Sequence, residues 1–212
     1  SVGDYMSNLL TKNIKPSDII TRESLLNAIR SIIVVGGSTN AVLHLLAIAR
    51  FAKVDLTIND FENISKNTPV IGDFKPSGEY LMSDLHDVGG TPKLFKFMLD
   101  NNLLNGECLT VTGKSLAKNI EKYVNKTTLD NSFHTVVRKL NNPLKKDGHI
   151  KILKGNLSPE GCVAKISGKE GNYFEGPARV YESEDLMIEG LNNQEIKEGD
   201  VVIIRNVGPI GG

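Results

Sequence analysis

The sequence predicts a helix-rich part, residues 1–143, followed by a shorter β-rich part, residues 144–212. Apolar residues recur three and four positions apart in several segments of the first part, which is the spacing of amphipathic helices. The segment LNNPLKKDGHIK then combines Asn-Pro, Lys-Lys and Asp-Gly, a polar and turn-rich composition that is typical of a boundary. Short runs rich in β-branched residues follow it, separated by turn residues.

The first long helix is predicted after Thr21, which is a good N-cap residue. Its apolar positions have helical spacing: Leu25, Ala28, Ile29, Ile32 and Ile33. Gly36 and Gly37 then end the helix, because glycine readily adopts the left-handed conformation that follows a helix C-terminus.

The stretch VGGSTNAVLHL, residues 35–45, has two interpretations. It is either a tight joint between two helices or an anion site, since the free N–H groups at a helix N-terminus attract negative charge. Ser38 or Thr39 is expected to cap the second helix. The helix is apolar almost all round, so we expect burial on several faces and a hydrogen-bonded core position for His44.

Three further helices are predicted before the boundary. Thr57 and Asp60 have the spacing of a capping box. After the extended piece PVIGDF and the turn KPSGEY, Thr91-Pro92 is expected to open a helix with proline at its first position. The last of the three is predicted over residues 112–124.

Four strands are predicted in the second part, in HIKILKG, CVAKIS, ARVYES and VVIIRN, with one helix in SEDLMIEGLNN. A closed barrel or sandwich normally needs more strands than these, and an open sheet leaves an exposed edge. The last predicted strand is followed only by NVGPIGG, where the sequence stops with too few strands for a closed fold. We therefore expect the chain to be a piece of a larger protein.

Composition argues against several classes of function. The formal net charge is +0, aromatic residues make up 6% and tryptophan is absent, so neither the basic field nor the stacking platforms of nucleic-acid binders are present. No apolar run reaches the roughly 20 residues of a transmembrane helix. Two distant cysteines, Cys108 and Cys162, favour a reducing compartment over a disulfide framework.

The histidines offer one candidate for chemistry. No pair of them has the H-x-x-x-H spacing of a helical zinc site. His86 lies between Asp84 and Asp87, just before two glycines, and an acidic neighbour could orient its imidazole for catalysis. A plain surface loop is the alternative interpretation.

Six consecutive blocks resemble the dihydroxy-acid dehydratases, the lyases of branched-chain amino-acid biosynthesis, in family order and with family-like spacing: VGGSTNAVLHLLAIAR, DFKPSGEYLMSDLHDVGGTPKL, GECLTVTGKSLAKN, GNLSPEGCVAKISG, FEGPARVYESED and EGDVVIIRNVGPIGG. Ala41 after GGSTN resembles the dihydroxy-acid branch more than the related phosphogluconate dehydratases. The resemblance implies an α/β fold class, with residues 1–143 as the helix-rich latter part of an α/β domain. Residues 144–212 would then be the first strands of a β-barrel-like domain.

The resemblance also implies an iron–sulfur cluster, Mg²⁺ and the loss of water from a dihydroxy acid, all of which depend on motifs that this sequence does not contain. The cluster motifs C-D-K and C-G-x-M, the P-G-M-x-E metal ligand and the D-G-R-F-S serine are all missing. We therefore expect this chain to hold no cofactor, to supply no catalytic or metal-binding residue and to be inactive alone. The expected substrate-proximal or supporting residues are Gly36, Gly37, Ser38, Thr39 and His86.

The resemblance further implies a dihydroxy-acid substrate, a homodimer for the full-length protein, and a location in bacterial cytoplasm or in a mitochondrion or plastid. Neither nucleic acid nor a membrane is an expected partner. Two alternatives remain open at this point. The chain could belong to a sugar-acid or 6-phosphogluconate dehydratase, or it could be a self-sufficient, non-catalytic binding module.

Overall fold

The computed structural model describes residues 2–124, 132–169, 171 and 173–208. The end of the NVGPIGG run, residues 209–212, lies outside these ranges. The helices and strands of the described residues are, in chain order, α1 Val2–Thr11, α2 Pro16–Ile19, α3 Arg22–Val34, α4 Thr39–Phe51, α5 Ile58–Asn67, α6 Met82–Asp87, α7 Gly90–Asp100, α8 Leu116–Val124, α9 Phe133–Val136, β1 Ile150–Leu153, β2 Cys162–Lys165, β3 Ala178–Tyr181, α10 Glu184–Asn192 and β4 Val201–Ile204.

The chain divides into two compact units, Ser1–Ser167 and Gly168–Gly212. The hairpin of β1 and β2 therefore lies in the first unit, although the sequence predicts a boundary at 143/144. The physical reason is packing, because Ile150 at the start of β1 is buried and its carbonyl accepts a 2.6 Å hydrogen bond from the Ser65 hydroxyl of α5. The predicted division of the whole protein into domains stays a prediction.

The first unit has two hydrophobic clusters, and α3 contributes to both of them. Val34 belongs to the larger cluster, which includes residues of α6, α7 and α9. Ile29 and Ile33 belong to the smaller cluster, together with residues of α4, α5 and β1. Each such fully buried side chain stabilises the fold by about 1.5–3 kcal/mol. The C-terminal end of α3 is thus held from two sides.

Local sequence signals explain where α3 and α5 begin. The Thr21 hydroxyl accepts a hydrogen bond from the backbone of Ser24, and the Ser24 hydroxyl accepts one from the backbone of Thr21. Asp60 accepts a 2.8 Å hydrogen bond from the backbone N–H of Thr57. Both predicted caps are confirmed.

Asp60 also pairs with the guanidinium of Arg22, at 2.6 Å. Burial by itself raises the pKa of Asp60. The hydrogen bonds from Thr57 and Arg22 outweigh that effect and lower the pKa below the ordinary value.

The prediction that α4 is buried on several faces is wrong. Within α4 only Val42 and Ala49 are buried, whereas Phe51 is 89% exposed and Leu43 is 57% exposed. The helix contacts α3, α5 and β2, and these neighbours cover one side of it. His44 is exposed as well, so its expected core position is also wrong.

Two predicted helix starts also differ from the structure. The helix α7 begins at Gly90, with Gly89 at φ +117° as its N-cap, so Pro92 lies within the first turn and not at its first position. The helix predicted over residues 112–124 begins only at Leu116. The reason is that Thr112 forms a side-chain hydrogen bond with Asn119 and belongs to the preceding turn.

The hairpin of the first unit is antiparallel, with Ile150 opposite Lys165 and Leu153 opposite Cys162. The second unit contains a parallel pair, β3 and β4, with α10 between them in the chain. All four strands and α10 occur in the segments where the sequence predicts them. Each sheet of the described residues has two strands, and the α/β class followed by a barrel-like domain stays a prediction.

None of the helices in the described ranges combines the length and apolar character of a membrane span.

Candidate functional site

The two glycines after α3 form a Schellman-type helix end. The N–H of Gly36 donates to the carbonyl of Ile33 at 3.0 Å, and the N–H of Gly37 donates to the carbonyl of Ile32 at 2.8 Å. Gly36 has φ +108° and Gly37 has φ +76°, a region in which a side chain is strained. The predicted helix–glycine–helix joint is confirmed, and its geometry needs glycine.

The N-terminus of α4 follows this joint directly and is open to solvent. Ser38 occupies the N-cap position with an extended backbone, but its hydroxyl makes no capping hydrogen bond. Ser38, Thr39 and Asn40 are all exposed. The expected capping bond is therefore absent in the described residues, and the positive end of a 13-residue helix faces outward beside two hydroxyl groups.

The PVIGDF segment and the KPSGEY turn support the joint from one side. The N–H groups of Ile71 and Gly72 both donate to the carbonyl of Val34, at 3.0 and 2.9 Å. In the KPSGEY turn, the Ser77 hydroxyl lies 3.8 Å from the position that a Cβ on Gly36 would occupy. The turn therefore reaches the joint.

Strand β1 supports the joint from the second half of the chain. The Nδ1 atom of the buried His149 lies 3.0 Å from the carbonyl oxygen of Gly36. A Cβ added to Gly37 would lie only 2.9 Å from Ile150. The sequence indicates neither contact, because these residues are separated by more than a hundred positions in the chain and no local pattern relates them.

His86, which the sequence indicates as a candidate near the substrate, lies on α6 and is exposed. The Asp84 carboxylate accepts a 2.6 Å hydrogen bond from the backbone N–H of Leu81 at the start of α6, and among the described residues no hydrogen bond joins it to the His86 imidazole. In the described residues no hydrogen bond joins His86 to the glycine joint. The structure brings together Gly36, Gly37, Ser38 and Thr39, while the role of His86 stays a prediction.

The described residues do not fit a metal or an iron–sulfur cluster. They contain no group of three or more His, Cys, Asp or Glu side chains that could hold a metal ion. Burial and the nearby carboxylate of Glu23 raise the pKa of the Cys108 thiol, which opposes formation of a thiolate ligand. Cys162 is exposed at the start of β2 and carries a free thiol.

Two family sequence models match the chain. Residues 1–119 match the model described as "Dihydroxy-acid/6-phosphogluconate dehydratase N-terminal", and residues 135–212 match its C-terminal counterpart. These matches cover most of the chain in the order expected from the six sequence blocks. The chain belongs to the dihydroxy-acid/6-phosphogluconate dehydratase family.

Similar curated proteins carry the more specific name dihydroxy-acid dehydratase. The relative from Francisella tularensis subsp. novicida (strain U112) is 54% identical over 99% of this chain and 37% of its own length. The relative from Lactococcus lactis subsp. cremoris (strain SK11) is 52% identical over 100% of this chain and 36% of its own length. The chain thus spans 36 to 37% of the length of these relatives.

Proposed function

We propose that this chain is a segment of a dihydroxy-acid dehydratase, a hydro-lyase of valine and isoleucine biosynthesis. The reaction removes water from a 2,3-dihydroxy-3-methyl acid and yields a 2-keto acid. The observation that carries the proposal is the identity of 52 to 54% with dihydroxy-acid dehydratases along the whole chain. Ala41, which follows GGSTN, supports the same branch of the family.

We further propose that the glycine joint faces the substrate. The substrate is a carboxylate, and the N-terminus of α4 offers exposed N–H groups, a positive dipole end and the hydroxyls of Ser38 and Thr39. Gly36 and Gly37 shape this end of the helix. In this proposal the glycine joint binds and orients the acid. His86 is proposed to lie near the substrate; among the described residues it forms no hydrogen bond with the joint.

The iron–sulfur cluster and Mg²⁺ that the family resemblance implies would be held by residues of the full-length protein other than those described here. No step of the reaction is assigned to either group, because the described residues do not fit them. A homodimer and a cytoplasmic location are further parts of the proposal. The bacterial origin of the relatives supports that location.

The test of the proposed reaction is a comparison of substrates on the full-length protein that carries this chain. We expect formation of 2-keto acid from 2,3-dihydroxyisovalerate and little or none from gluconate or 6-phosphogluconate. Turnover of the sugar acids alone would place the chain in a sugar-acid dehydratase and contradict the proposal. Absence of turnover on all three, with the cofactors loaded, would favour a non-catalytic module.

A further inference from the structure

We propose that His149 is a positioning residue, which fixes the peptide unit between Gly36 and Gly37 and thereby orients the N-terminus of α4. The imidazole donates its Nδ1–H to the carbonyl oxygen of Gly36 across a distance of 3.0 Å. The importance of this contact for substrate rests on the proposed function. The geometry of the contact does not depend on that function.

The peptide unit between the two glycines is held at both of its ends. Its carbonyl, on Gly36, accepts from His149, and its N–H, on Gly37, donates to the carbonyl of Ile32 at 2.8 Å. A flip of this peptide plane would break both hydrogen bonds. Without His149, the buried Gly36 carbonyl would lose this partner, and glycine itself offers little resistance to a change of backbone conformation.

The hydrogen bond also determines which ring nitrogen carries the proton. A carbonyl oxygen can only accept, so Nδ1 must be the donor and must be protonated. A neutral His149 is therefore the Nδ1–H tautomer, with its Nε2 as an acceptor. This requirement gives the proposal a spectroscopic signature.

The imidazole is held in place by the segment that leads into β1, residues 148 and 149. The His149 carbonyl accepts a 2.7 Å hydrogen bond from the N–H of Ile166, and Gly148 donates its N–H to the carbonyl of Ser65 at 2.7 Å. A Cβ on Gly148 would lie 2.3 Å from the Ser65 hydroxyl, so the backbone just before β1 approaches α5 as closely as glycine allows. Residues after the predicted boundary at 143/144 thus set the geometry of a joint that precedes it.

The first test measures the protonation of His149 in the full chain by two-bond ¹H–¹⁵N NMR correlation at neutral pH, without substrate. We expect a protonated Nδ1. A neutral ring with its proton on Nε2 would overturn the proposal, because such a ring cannot donate to Gly36. Since no substrate is present, this result is independent of the proposed reaction.

The second test compares His149→Asn with His149→Leu by amide hydrogen exchange. Asparagine carries an N–H donor at the δ position and leucine fills space without a donor. We expect the leucine variant to lower protection of the Gly37 N–H by about tenfold, the effect of one hydrogen bond, and the asparagine variant to retain it.

Met98, in the other hydrophobic cluster, provides the reference amide for general stability. A loss confined to Gly37 and rescued by asparagine supports a positioning role. Equal losses of exchange protection at Gly37 and Met98, or no rescue by asparagine, would mean that His149 contributes only to general stability, and would contradict the proposal.

Discussion

The substitution Gly37→Ala tests the close approach of β1 to the glycine joint. Alanine at φ +76° costs about 1 kcal/mol, the lower end of the penalty for a left-handed L-residue. The added Cβ would also lie 2.9 Å from Cγ1 and 3.2 Å from Cδ1 of Ile150. Overpacking of this kind costs about 2 kcal/mol. We therefore expect Gly37→Ala to lower the free energy of unfolding by about 3 kcal/mol in total.

Gly90→Ala is the matched control for this variant. Gly90 has a similar φ of +68°, but a Cβ there meets only Pro92 at an ordinary contact distance of 3.5 Å. Its expected cost is about 1 kcal/mol. Free energies of unfolding come from urea titrations of the full chain followed by circular dichroism.

The difference in free energy of unfolding between Gly37→Ala and Gly90→Ala isolates the contact with Ile150. This difference should shrink from about 2 kcal/mol to near zero when both glycine variants are made in an Ile150→Ala background. Equal losses for Gly37→Ala and Gly90→Ala in the wild-type background would refute the reasoning.

Three further predictions concern the framework around the joint. Ser65→Ala removes the donor to the buried Ile150 carbonyl and should lower the free energy of unfolding by about 1–2 kcal/mol in a urea titration. Phe61→Ala should cost about 3–5 kcal/mol in the same assay, because Phe61 is 2% exposed, whereas Phe51→Ala should change it by less than about 0.5 kcal/mol. Asp60→Asn should cost about 0.5 kcal/mol at neutral pH. Since folding lowers the pKa of Asp60, this cost should persist above the ordinary aspartate pKa and disappear as the pH falls through the folded value.

Local signals in the sequence predict much of the framework. The cap at Thr21 and the glycine pair after α3 are local chemistry, and both occur where the sequence places them. The four strands follow the same rule. The start of α8 is an exception, because Thr112 finds Asn119 as a side-chain partner and stays in the turn.

Tertiary contacts explain what the sequence cannot indicate. The apolar pattern of α4 predicts burial, but burial depends on which neighbours are present, and Phe51 has none that covers it in the described residues. His149 reaches Gly36 only because β1 packs against α5. No local pattern contains that information. The Gly36–Thr39 part of the candidate site was therefore visible in the sequence, and its support from β1 was not.

The most direct test of a substrate-facing joint is the KM of the full-length protein for 2,3-dihydroxyisovalerate after Ser38→Asp. Aspartate is a good N-cap residue, so the variant should be at least as stable as the wild type. The same carboxylate should repel an anionic substrate at the N-terminus of α4 and raise KM by about tenfold or more.

Thr21→Asp is the control, because it places the same residue at the other end of α3, roughly 20 Å away by helix rise. We predict a raised KM for Ser38→Asp alone. Unchanged KM in a stable Ser38→Asp protein would mean that the glycine joint only connects two helices, and would contradict the proposed site.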